Sequence, residues 1–563
     1  MSKAIMIQGT GSGAGKSVIV AGLCRIFRDM GIRVAPFKSQ NMALNSFITK
    51  EGGEIGRAQA FQAEAAGIEP CNDMNPVLLK ATGEAGCQVI LNGKVYATMK
   101  ADEYYAIKDE VWKEITAAYD RLSKEYELIV IEGAGSPAEI NLQAEEVVNM
   151  RVARYADAPV ILVGDIDRGG VFAQFYGTVE LLKDAPLNPP LPRAETNGLA
   201  DADYIKAFIV NKFRGDMDIL RPGLRMIEKK TGKLVIGTLY YQNDLGLDEE
   251  DGLSIERVNR LEELERLEHH RMLKIVVLRL KYIANFTDLA PFLYEPDVEI
   301  KYSLWEEDIN SADLIIIPGS KNTVADLLLL RESGIEKCVK FAVKKGTPLV
   351  GICGGYQMLG QKILDPYKVE SSLAEVEGMG LLDTVTTLDR TKTTCRVWAE
   401  INDAETRRRG DAEKSPVPRL PGSPHHKLKG YEIHMGNTTG DVGLFKLTRR
   451  SGNVADSPCR RFPVSPAHSV PASAVLDGSV KGNVWGTYIH GIFDNDDLRA
   501  ALLDSLREKK GLPAHSITFS YQAQREEAIN KWADTLKNSV DICFILRQAG
   551  MEYCMKKTQE DLK

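Results

Sequence analysis

A cysteine between glycines is the most reactive feature of the sequence. It lies in Pro348-Leu-Val-Gly-Ile-Cys353-Gly-Gly-Tyr-Gln-Met-Leu-Gly360, directly after an apolar run that is typical of a buried strand. Gly-x-Cys-x-Gly is the cysteine form of a nucleophile elbow, a sharp strand-to-helix turn that leaves the sulfur exposed. The start of the following helix favours the thiolate, so we interpret Cys353 as a nucleophile and not as a buried structural cysteine. The Gly354 N–H is the predicted oxyanion donor, and the Gly319-Ser320 loop is expected to supply a second donor.

A cysteine nucleophile needs a base, and the chain has only eight histidines. Two of them follow predicted strands in the same half of the chain as Cys353. They are His434, in Gly430-Tyr-Glu-Ile-His-Met-Gly436, and His490, in Gly486-Thr-Tyr-Ile-His-Gly491. The residue types alone leave both open as general bases.

The second strong motif is a glycine-rich loop near the start of the chain. It reads Gly9-Thr10-Gly11-Ser12-Gly13-Ala14-Gly15-Lys16-Ser17, after a predicted strand and before a predicted helix. This is the context of a phosphate-binding loop, whose backbone N–H groups cradle the phosphates of ATP. Lys16 is expected to reach the β- and γ-phosphates, and the Ser17 hydroxyl to bind Mg²⁺. The loop is one residue longer than the standard form, because five residues separate Gly9 from Gly15.

Polar residues follow other strands of the same half. Glu132 comes directly after Leu128-Ile-Val-Ile131, where a carboxylate is well placed to hold Mg²⁺. Asn211 follows a later strand and is a candidate for pairing with adenine, although a plain turn accounts for it equally well. Lys38-Ser-Gln-Asn41 is a polar segment that suits an anionic substrate.

Short apolar runs alternate with helical patterns over residues 1–245, which predicts a doubly wound α/β domain with a parallel sheet. Residues 246–272 are dense in charge and are interpreted as a linker. A second α/β pattern covers residues 273–500. Two segments within it, 403–427 and 451–480, are rich in Pro, Ser and Arg and are interpreted as flexible insertions. Residues 501–563 are predicted to form a helical C-terminal tail.

Composition excludes several classes of protein. The 563 residues are 44% hydrophobic and 26% charged, as in a globular protein, and the net charge of −7 argues against nucleic-acid binding. No apolar run reaches the length of a membrane helix, and no signal peptide is recognisable, so membrane insertion is not expected. The nine cysteines are scattered without a Cys-x-x-Cys pair. This usage indicates reduced thiols and a cytoplasmic protein.

Together these motifs resemble the cobyric acid synthase family, in which a dethiobiotin-synthetase-like ATPase precedes a class I glutamine amidotransferase domain. The long phosphate loop is itself similar to that of the dethiobiotin-synthetase-like branch. The resemblance rests on the segments Gly9–Ser17, Lys38–Asn41, Glu132–Ser136, Asp165–Gly170, Asn211–Asp216, Pro318–Thr323, Gly351–Gly355 and Tyr488–Gly491.

The resemblance implies amidation of the b, d, e and g side-chain carboxylates of adenosylcobyrinate a,c-diamide, giving adenosylcobyric acid. ATP and Mg²⁺ are the implied cofactors, and glutamine and a corrinoid are the implied small-molecule partners. It also favours His490 over His434, because triad amidotransferases carry the cysteine first and the histidine near the end of the domain. Class I members usually have Glu two residues after that histidine, but Ile492 stands here, and the cobalamin branch likewise lacks the Glu. No third member of the triad is therefore predicted.

Two other functions remain open at this stage. The sibling enzyme cobyrinate a,c-diamide synthase shares the architecture, although Lys38–Asn41 and Asp165–Gly170 favour cobyric acid synthase. A regulatory or partition P-loop ATPase is an alternative of another class. The cysteine elbow argues against it, because a nucleotide switch has no use for a nucleophilic thiol.

Overall fold

A computed structural model describes residues 2–82, 86–142, 146–183, 200–242, 272–402, 427–450, 475–514 and 520–551. Residues 246–271 of the predicted linker 246–272 and most of the predicted insertions 403–427 and 451–480 lie outside these residues. Residues 475–480, which were expected to belong to a flexible insertion, lie instead in the strands Val475–Asp477 and Ser479–Lys481 and at the residue between them.

The N-terminal half is built on a six-stranded sheet in which every strand pairs in parallel. The strand that leads into the glycine-rich loop is central, and most side chains of the inner strands are buried on both faces. This explains why these strands read as continuous apolar runs. In spatial order the strands are Leu234–Tyr240, Ile205–Phe213, Val160–Asp165, Lys3–Gly9, Leu128–Glu132 and Val34–Phe37.

Helices cover both faces of this sheet, and smaller strands lie at one end of it. The helices are Lys16–Asp29, Arg57–Ala66, Ala101–Ala106, Lys108–Glu125, Met150–Tyr155, Val171–Lys183, Asp201–Tyr204 and Met217–Thr231, with a 3-10 turn at Asn72–Met74. The smaller strands form a hairpin, Ser46–Ile48 with Glu54–Gly56, and a four-stranded sheet, Gln40–Met42, Val77–Ala81, Gly86–Leu91 and Lys94–Lys100.

The C-terminal half contains a second parallel sheet with one antiparallel edge strand. Its strands in spatial order are Val298–Ser303, Leu273–Leu278, Leu314–Ile317, Leu349–Ile352, Val484–Thr487 and Ser479–Lys481. The helices of this half are Glu306–Ser311, Thr323–Glu332, Ile335–Lys344, Gly354–Leu359 and Asp496–Lys510, with 3-10 segments at Phe286–Tyr294 and Ile492–Asp494. Ile283–Ala284 and Gly319–Ser320 form a short antiparallel pair beside the sheet.

A second, mainly antiparallel sheet was not predicted from the sequence. Its strands are Glu375–Glu377, Lys362–Leu364, Thr384–Ile401, Leu428–Gly440, Ile489–His490, Phe445–Arg450 and Val475–Asp477. The strand segment before and at His490 is divided between the two sheets. Val484–Thr487 lies in the parallel sheet, and Ile489–His490 pairs with Tyr431 and Glu432. This change of sheet places His490 against the antiparallel sheet.

The C-terminal helices belong to both halves of the molecule. Helix Asp496–Lys510 crosses the expected boundary at residue 500 and is fixed to the second half, where Arg499 pairs with Glu295. The tail, predicted to be helical over residues 501–563, continues in two further helices, Tyr521–Ser539 and Ile542–Gln548, which are separated where Val540 forms a β-bridge with Gly237.

Helix Tyr521–Ser539 packs on the helix that follows the glycine-rich loop. Trp532 Nε1 donates a hydrogen bond to Val18 O at 2.6 Å, and a Cβ on Gly22 would come within 2.9 Å of this indole. Arg25 pairs with Glu526 at the other end of the contact. The C-terminal tail is thus part of the hydrophobic core of the N-terminal half.

Two helical stretches of the N-terminal half have irregular boundaries. Ile107 separates helices Ala101–Ala106 and Lys108–Glu125, and helix Met150–Tyr155 begins directly after Asn149. The Asn149 side chain is occupied elsewhere, because it bonds both the N–H and the C=O of Ala134. No helix among the described residues is long and apolar enough to cross a membrane.

Candidate active site

The glycine-rich loop bends between the central strand and helix Lys16–Asp29. Gly13 and Gly15 adopt φ of 72° and 95°, a conformation that residues with a Cβ rarely take. A Cβ on Gly15 would also come within 2.2 Å of Asn211 Nδ2. Glycine is therefore required at this position both by the backbone and by the close approach of Asn211.

Two polar side chains of the loop are directed towards the end of the neighbouring strand. Lys16 is almost fully buried, and its Nζ donates hydrogen bonds to Gly11 O at 3.1 Å and to Gly135 O at 3.4 Å. The Ser17 hydroxyl donates to Glu132 Oε1 at 2.8 Å. Lys16, Ser17 and Glu132 thus meet at the carboxyl end of the sheet.

Glu132 is surrounded by hydrogen-bond donors that the sequence did not indicate. Lys38 Nζ lies 3.0 Å from its Oε1, and the amides of Gln59 and Gln62 donate to its Oε2. Burial by itself would raise the pKa of Glu132. The Lys38 ammonium, helped by the hydrogen bonds of Gln62 and Ser17, lowers it instead, so Glu132 is a carboxylate at neutral pH.

The oxygen atoms of Ser17 and Glu132 fit a magnesium ion. Mg²⁺ prefers oxygen ligands and takes only one or two from the protein in phosphate sites, the others coming from phosphates and water. Among the described residues no cluster of three or more His, Cys, Asp or Glu side chains forms a metal cage. Ser17 and Glu132 therefore suit a magnesium site that has few protein ligands and takes its other ligands from nucleotide phosphates and water.

The remaining predicted nucleotide-binding residues have structural partners. Asn211 Nδ2 donates to Ala14 O at 2.9 Å, and Thr10 Oγ1 donates to Gln174 Oε1 at 2.7 Å. Ser12 is exposed at the tip of the loop. Asn211 therefore supports the loop in this structure, and its pairing with adenine stays a prediction.

Cys353 lies on a sharp turn between strand Leu349–Ile352 and helix Gly354–Leu359. It has φ 50° and ψ −108°, a strained conformation for a residue other than glycine. A Cβ on Gly355 would come within 2.0 Å of Ile317 O, so the turn closes only with glycine there. This is the strand–turn–helix geometry of a nucleophile elbow.

His490 lies beside Cys353 and is held by a carboxylate that the sequence did not identify. Its Nδ1 is 2.6 Å from Asp288 Oδ2, and the Gly491 N–H donates to Asp288 Oδ1 at 3.0 Å. A carboxylate only accepts hydrogen bonds, so Nδ1 carries a proton; the Asn285 amide nitrogen lies 3.3 Å from Nε2. Burial by itself would lower the pKa of His490. Asp288, together with Cys353, raises it to about 10.

His434 lines the same cavity, but both of its ring nitrogens have other partners. Nδ1 is 2.7 Å from Gly436 O, and Nε2 is 3.3 Å from Glu432 Oε1. Burial would raise the pKa of Glu432, but the hydrogen bonds from His434 and Arg449 lower it to about 2. Glu432 therefore remains ionised at neutral pH, and its carboxylate holds the ring of His434 in place.

The Gly319-Ser320 turn lies close to Gly354 and to His490. A Cβ on Gly354 would come within 2.9 Å of Ser320 N, so these two residues are in close contact. Gly319 lies opposite Ala284 in the short strand pair, and a Cβ there would approach His490 Cε1 to 3.3 Å. The Gly319-Ser320 turn and the Gly354 N–H therefore border one side of the elbow.

A cleft with about 520 Å³ of empty space, partly open to solvent, adjoins Cys353 and is lined by both halves of the chain. Glu370 accepts the N–H groups of Thr323 and Val324, and burial raises its pKa to about 7. Lys321 is half-buried, and its partial removal from water lowers its pKa. The lining residues are Lys80, Ala284, Asn285, Gly319, Ser320, Lys321, Thr323, Cys353, Gln357, Glu370, Lys392, Ile433, His434, Met435 and His490.

Comparison with known proteins identifies both halves. Residues 5–255 match the family model of a CobQ/CobB/MinD/ParA nucleotide binding domain, and residues 274–498 match that of a CobB/CobQ-like glutamine amidotransferase domain. The predicted fold, an ATPase domain followed by an amidotransferase domain, is confirmed. A regulatory ATPase does not account for a match to both models.

Full-length relatives share one description, cobyric acid synthase. The protein from Thermodesulfovibrio yellowstonii is 46% identical over 98% of this chain and 100% of its own length. That from Citrobacter koseri is 43% identical over 96% of this chain and 97% of its own length. That from Desulfitobacterium hafniense is 42% identical over 97% and 98%, respectively.

Proposed function

The chain belongs to the cobyric acid synthase family of glutamine-dependent, ATP-using amidating ligases of cobalamin synthesis, and we propose that it amidates the b, d, e and g side-chain carboxylates of adenosylcobyrinate a,c-diamide. The product is adenosylcobyric acid. The match of the chain to relatives of that description over both halves supports this choice over cobyrinate a,c-diamide synthase.

The N-terminal half would activate each carboxylate. Phosphoryl transfer from ATP to the carboxylate gives an acyl phosphate and ADP, and ammonia then displaces phosphate to form the amide. Lys16 and the N–H groups of the loop 9–17 hold the phosphates, and Asn211 is the proposed adenine contact. Ser17 and Glu132 would hold Mg²⁺, which supplies positive charge to the phosphate oxygens when bound.

The C-terminal half would release the ammonia. The Cys353 thiolate attacks the glutamine amide carbon, and His490 gives its Nε2 proton to the departing ammonia. Water then hydrolyses the thioester to glutamate, with His490 taking its proton. The N–H of Gly354 and the Gly319-Ser320 turn are the proposed donors to the oxyanion.

The observation that carries this proposal is the shared lining of the cleft beside Cys353. Lys80 comes from the N-terminal half and Lys392 from the C-terminal half, and both pair with buried Glu54. Ammonia released there is at the domain boundary from the outset. This matters because free ammonia is protonated at neutral pH and then no longer acts as a nucleophile.

Mass spectrometry of the corrinoid product tests the proposal. After incubation with ATP, Mg²⁺ and glutamine, we expect four successive exchanges of OH for NH₂ on the a,c-diamide. No exchange on this substrate, with amidation of cobyrinate instead, would assign the sibling reaction.

The Cys353→Ala variant separates the two half-reactions. It should lose amidation with glutamine and retain it with ammonium at mildly alkaline pH. Cys338→Ala, which removes a half-buried thiol on helix Ile335–Lys344, is the matched control and should behave as the wild type. Normal use of glutamine by Cys353→Ala would refute the assignment of the nucleophile.

We also propose a cytoplasmic location, because the described cysteines are free thiols.

A further inference from the structure

The imidazole of His490 lies between two buried side chains of its own domain. The Tyr431 ring is stacked on it, with centroids 5.4 Å apart and planes inclined by 19°. The Asn285 amide nitrogen lies 3.3 Å from Nε2 and 3.5 Å from Nδ1. With Asp288 at Nδ1, these contacts leave the ring little freedom to turn.

Both flanking side chains are bonded to the backbone of one residue in the other half of the chain. The Ser46 N–H donates to Asn285 Oδ1 at 2.8 Å, and the Tyr431 hydroxyl donates to Ser46 O at 3.3 Å. Ser46 begins the hairpin of residues 46–56, which belongs to the ATPase half. One residue of that half therefore holds both neighbours of His490.

The contact also fixes which way the Asn285 amide points. A backbone N–H only donates, so the atom facing Ser46 is the oxygen, and the NH₂ group faces His490. Asn285 has φ 52° and ψ 40°, a conformation that asparagine tolerates better than most residues. The next residue is held as well, because the Phe286 N–H donates to Asn45 Oδ1 at 3.1 Å. The segment that leads to Asp288 is thus docked on the hairpin.

The same hairpin supports the strand that faces the cysteine. Phe47 and Ile48 pack against Tyr431 and Ile433 of strand Leu428–Gly440. The carbonyl oxygen of Ile433 accepts a hydrogen bond from Cys353 Sγ at 3.4 Å. The hairpin therefore packs on the strand that accepts the hydrogen bond of Cys353, and it also contacts the two side chains that flank His490.

We propose that the hairpin of residues 46–56 is a structural part of the glutamine-hydrolysing site, and that Asn285 and Tyr431 are positioning residues through which the Ser46 backbone orients His490. The inference rests on the roles proposed above for Cys353 and His490. The hairpin continues directly into helix Arg57–Ala66, which carries Gln59 and Gln62 to Glu132. A single segment of chain thus touches both reaction centres.

The test is the kinetics of glutamine hydrolysis by Asn285→Gly in the full chain. Glycine keeps the left-handed backbone and removes the amide. Because misplacement of a catalytic group by about 1 Å costs up to about 100-fold, we expect kcat to fall about 10- to 100-fold. The fall in kcat should exceed any rise in the KM for glutamine, because Asn285 flanks His490 as well as lining the cleft. Ammonia-dependent amidation should be unchanged.

Two further variants distinguish positioning from general folding. Asn285→Asp keeps an acceptor for the Ser46 N–H and should have a higher kcat than Asn285→Gly. Tyr431→Phe keeps the stacked ring, removes the hydroxyl that donates to Ser46 O, and should lower kcat without changing KM. Thr394→Val is the matched control, because Thr394 Oγ1 donates to Gly52 O of the same hairpin at 2.9 Å without flanking His490.

The outcomes separate this inference from the function on which it rests. If His490→Ala abolishes glutamine hydrolysis while Asn285→Gly and Tyr431→Phe keep kcat within about twofold of wild type, the hairpin is not part of the site. An equal loss of kcat in Thr394→Val would also overturn the inference. The loss would then come from weaker docking of the hairpin and not from the side chains that flank His490. If His490→Ala and Cys353→Ala both hydrolyse glutamine normally, the proposed catalytic roles themselves fail.

Discussion

Replacing Asp288 by asparagine tests the electrostatic basis of the glutamine-hydrolysing site. The carboxylate lies 2.6 Å from His490 Nδ1, and both groups are buried. With Cys353 it raises the pKa of His490 from 6.5 to about 10, in spite of burial, which acts in the opposite direction. At about 1.4 kcal/mol for each unit of pKa, the imidazolium is favoured by about 5 kcal/mol.

Asp288→Asn keeps the shape and an acceptor for the Gly491 N–H but removes the charge. If half of the stabilisation comes from Asp288, about 2–3 kcal/mol is lost, which corresponds to about 30- to 160-fold in rate. We expect kcat for glutamine hydrolysis to fall by this factor. The KM should change little, because Asp288 lies behind His490 and not among the residues that line the cleft. Alkylation of Cys353 by iodoacetamide at neutral pH should slow as well, since the imidazole beside the sulfur is less often positively charged.

Glu295→Gln is the matched control for this substitution. Glu295 follows the same 3-10 segment, is buried, and pairs with Arg499 at 2.8 Å without touching His490. It should lower stability and leave kcat close to the wild-type value. If Asp288→Asn keeps kcat within about threefold of wild type while folding normally, the carboxylate does not activate the site and the reasoning is wrong.

Three other predictions concern the rest of the molecule. Lys16→Ala should abolish amide synthesis with either glutamine or ammonia, because the charge on the transferring phosphate loses its cation; product formation from ammonia at the wild-type rate would disprove the assignment of the ATP site. Trp532→Ala should lower the free energy of unfolding by about 3–5 kcal/mol, because it removes a buried indole from the helix of the phosphate loop; chemical denaturation measures this, and a loss below about 1 kcal/mol would show that the tail is not part of the core. The raised pKa of His490 stabilises the folded protein. This stabilisation is fully present below pH 6.5 and is lost as the pH rises through about 10. The denaturation midpoint of the wild type should therefore fall more steeply over this window than that of His490→Gln, and parallel curves would contradict it.

The local motifs of both sites were readable from the sequence. The loop 9–17 and the elbow at Cys353 depend on glycines placed within a few residues of one another, because each glycine permits a backbone conformation or a close contact that other residues exclude. The strands before them are short apolar runs, because a parallel sheet covered by helices buries both faces. Short, contiguous sequence patterns were therefore enough to predict the fold class and the candidate nucleophile.

The partners of these motifs were decided only by tertiary structure. Asp288 lies 202 residues before His490, and Gln62 lies 70 residues before Glu132. No periodicity marks such pairs, because the sequence separation of two contacting side chains reflects the path of the chain and not their chemistry. The dependence of His490 on Ser46, and the packing of Trp532 on the helix of the phosphate loop, arise in the same way. The sequence by itself indicated the candidate reactive groups, whereas the docking of distant segments decided which side chains contact those groups.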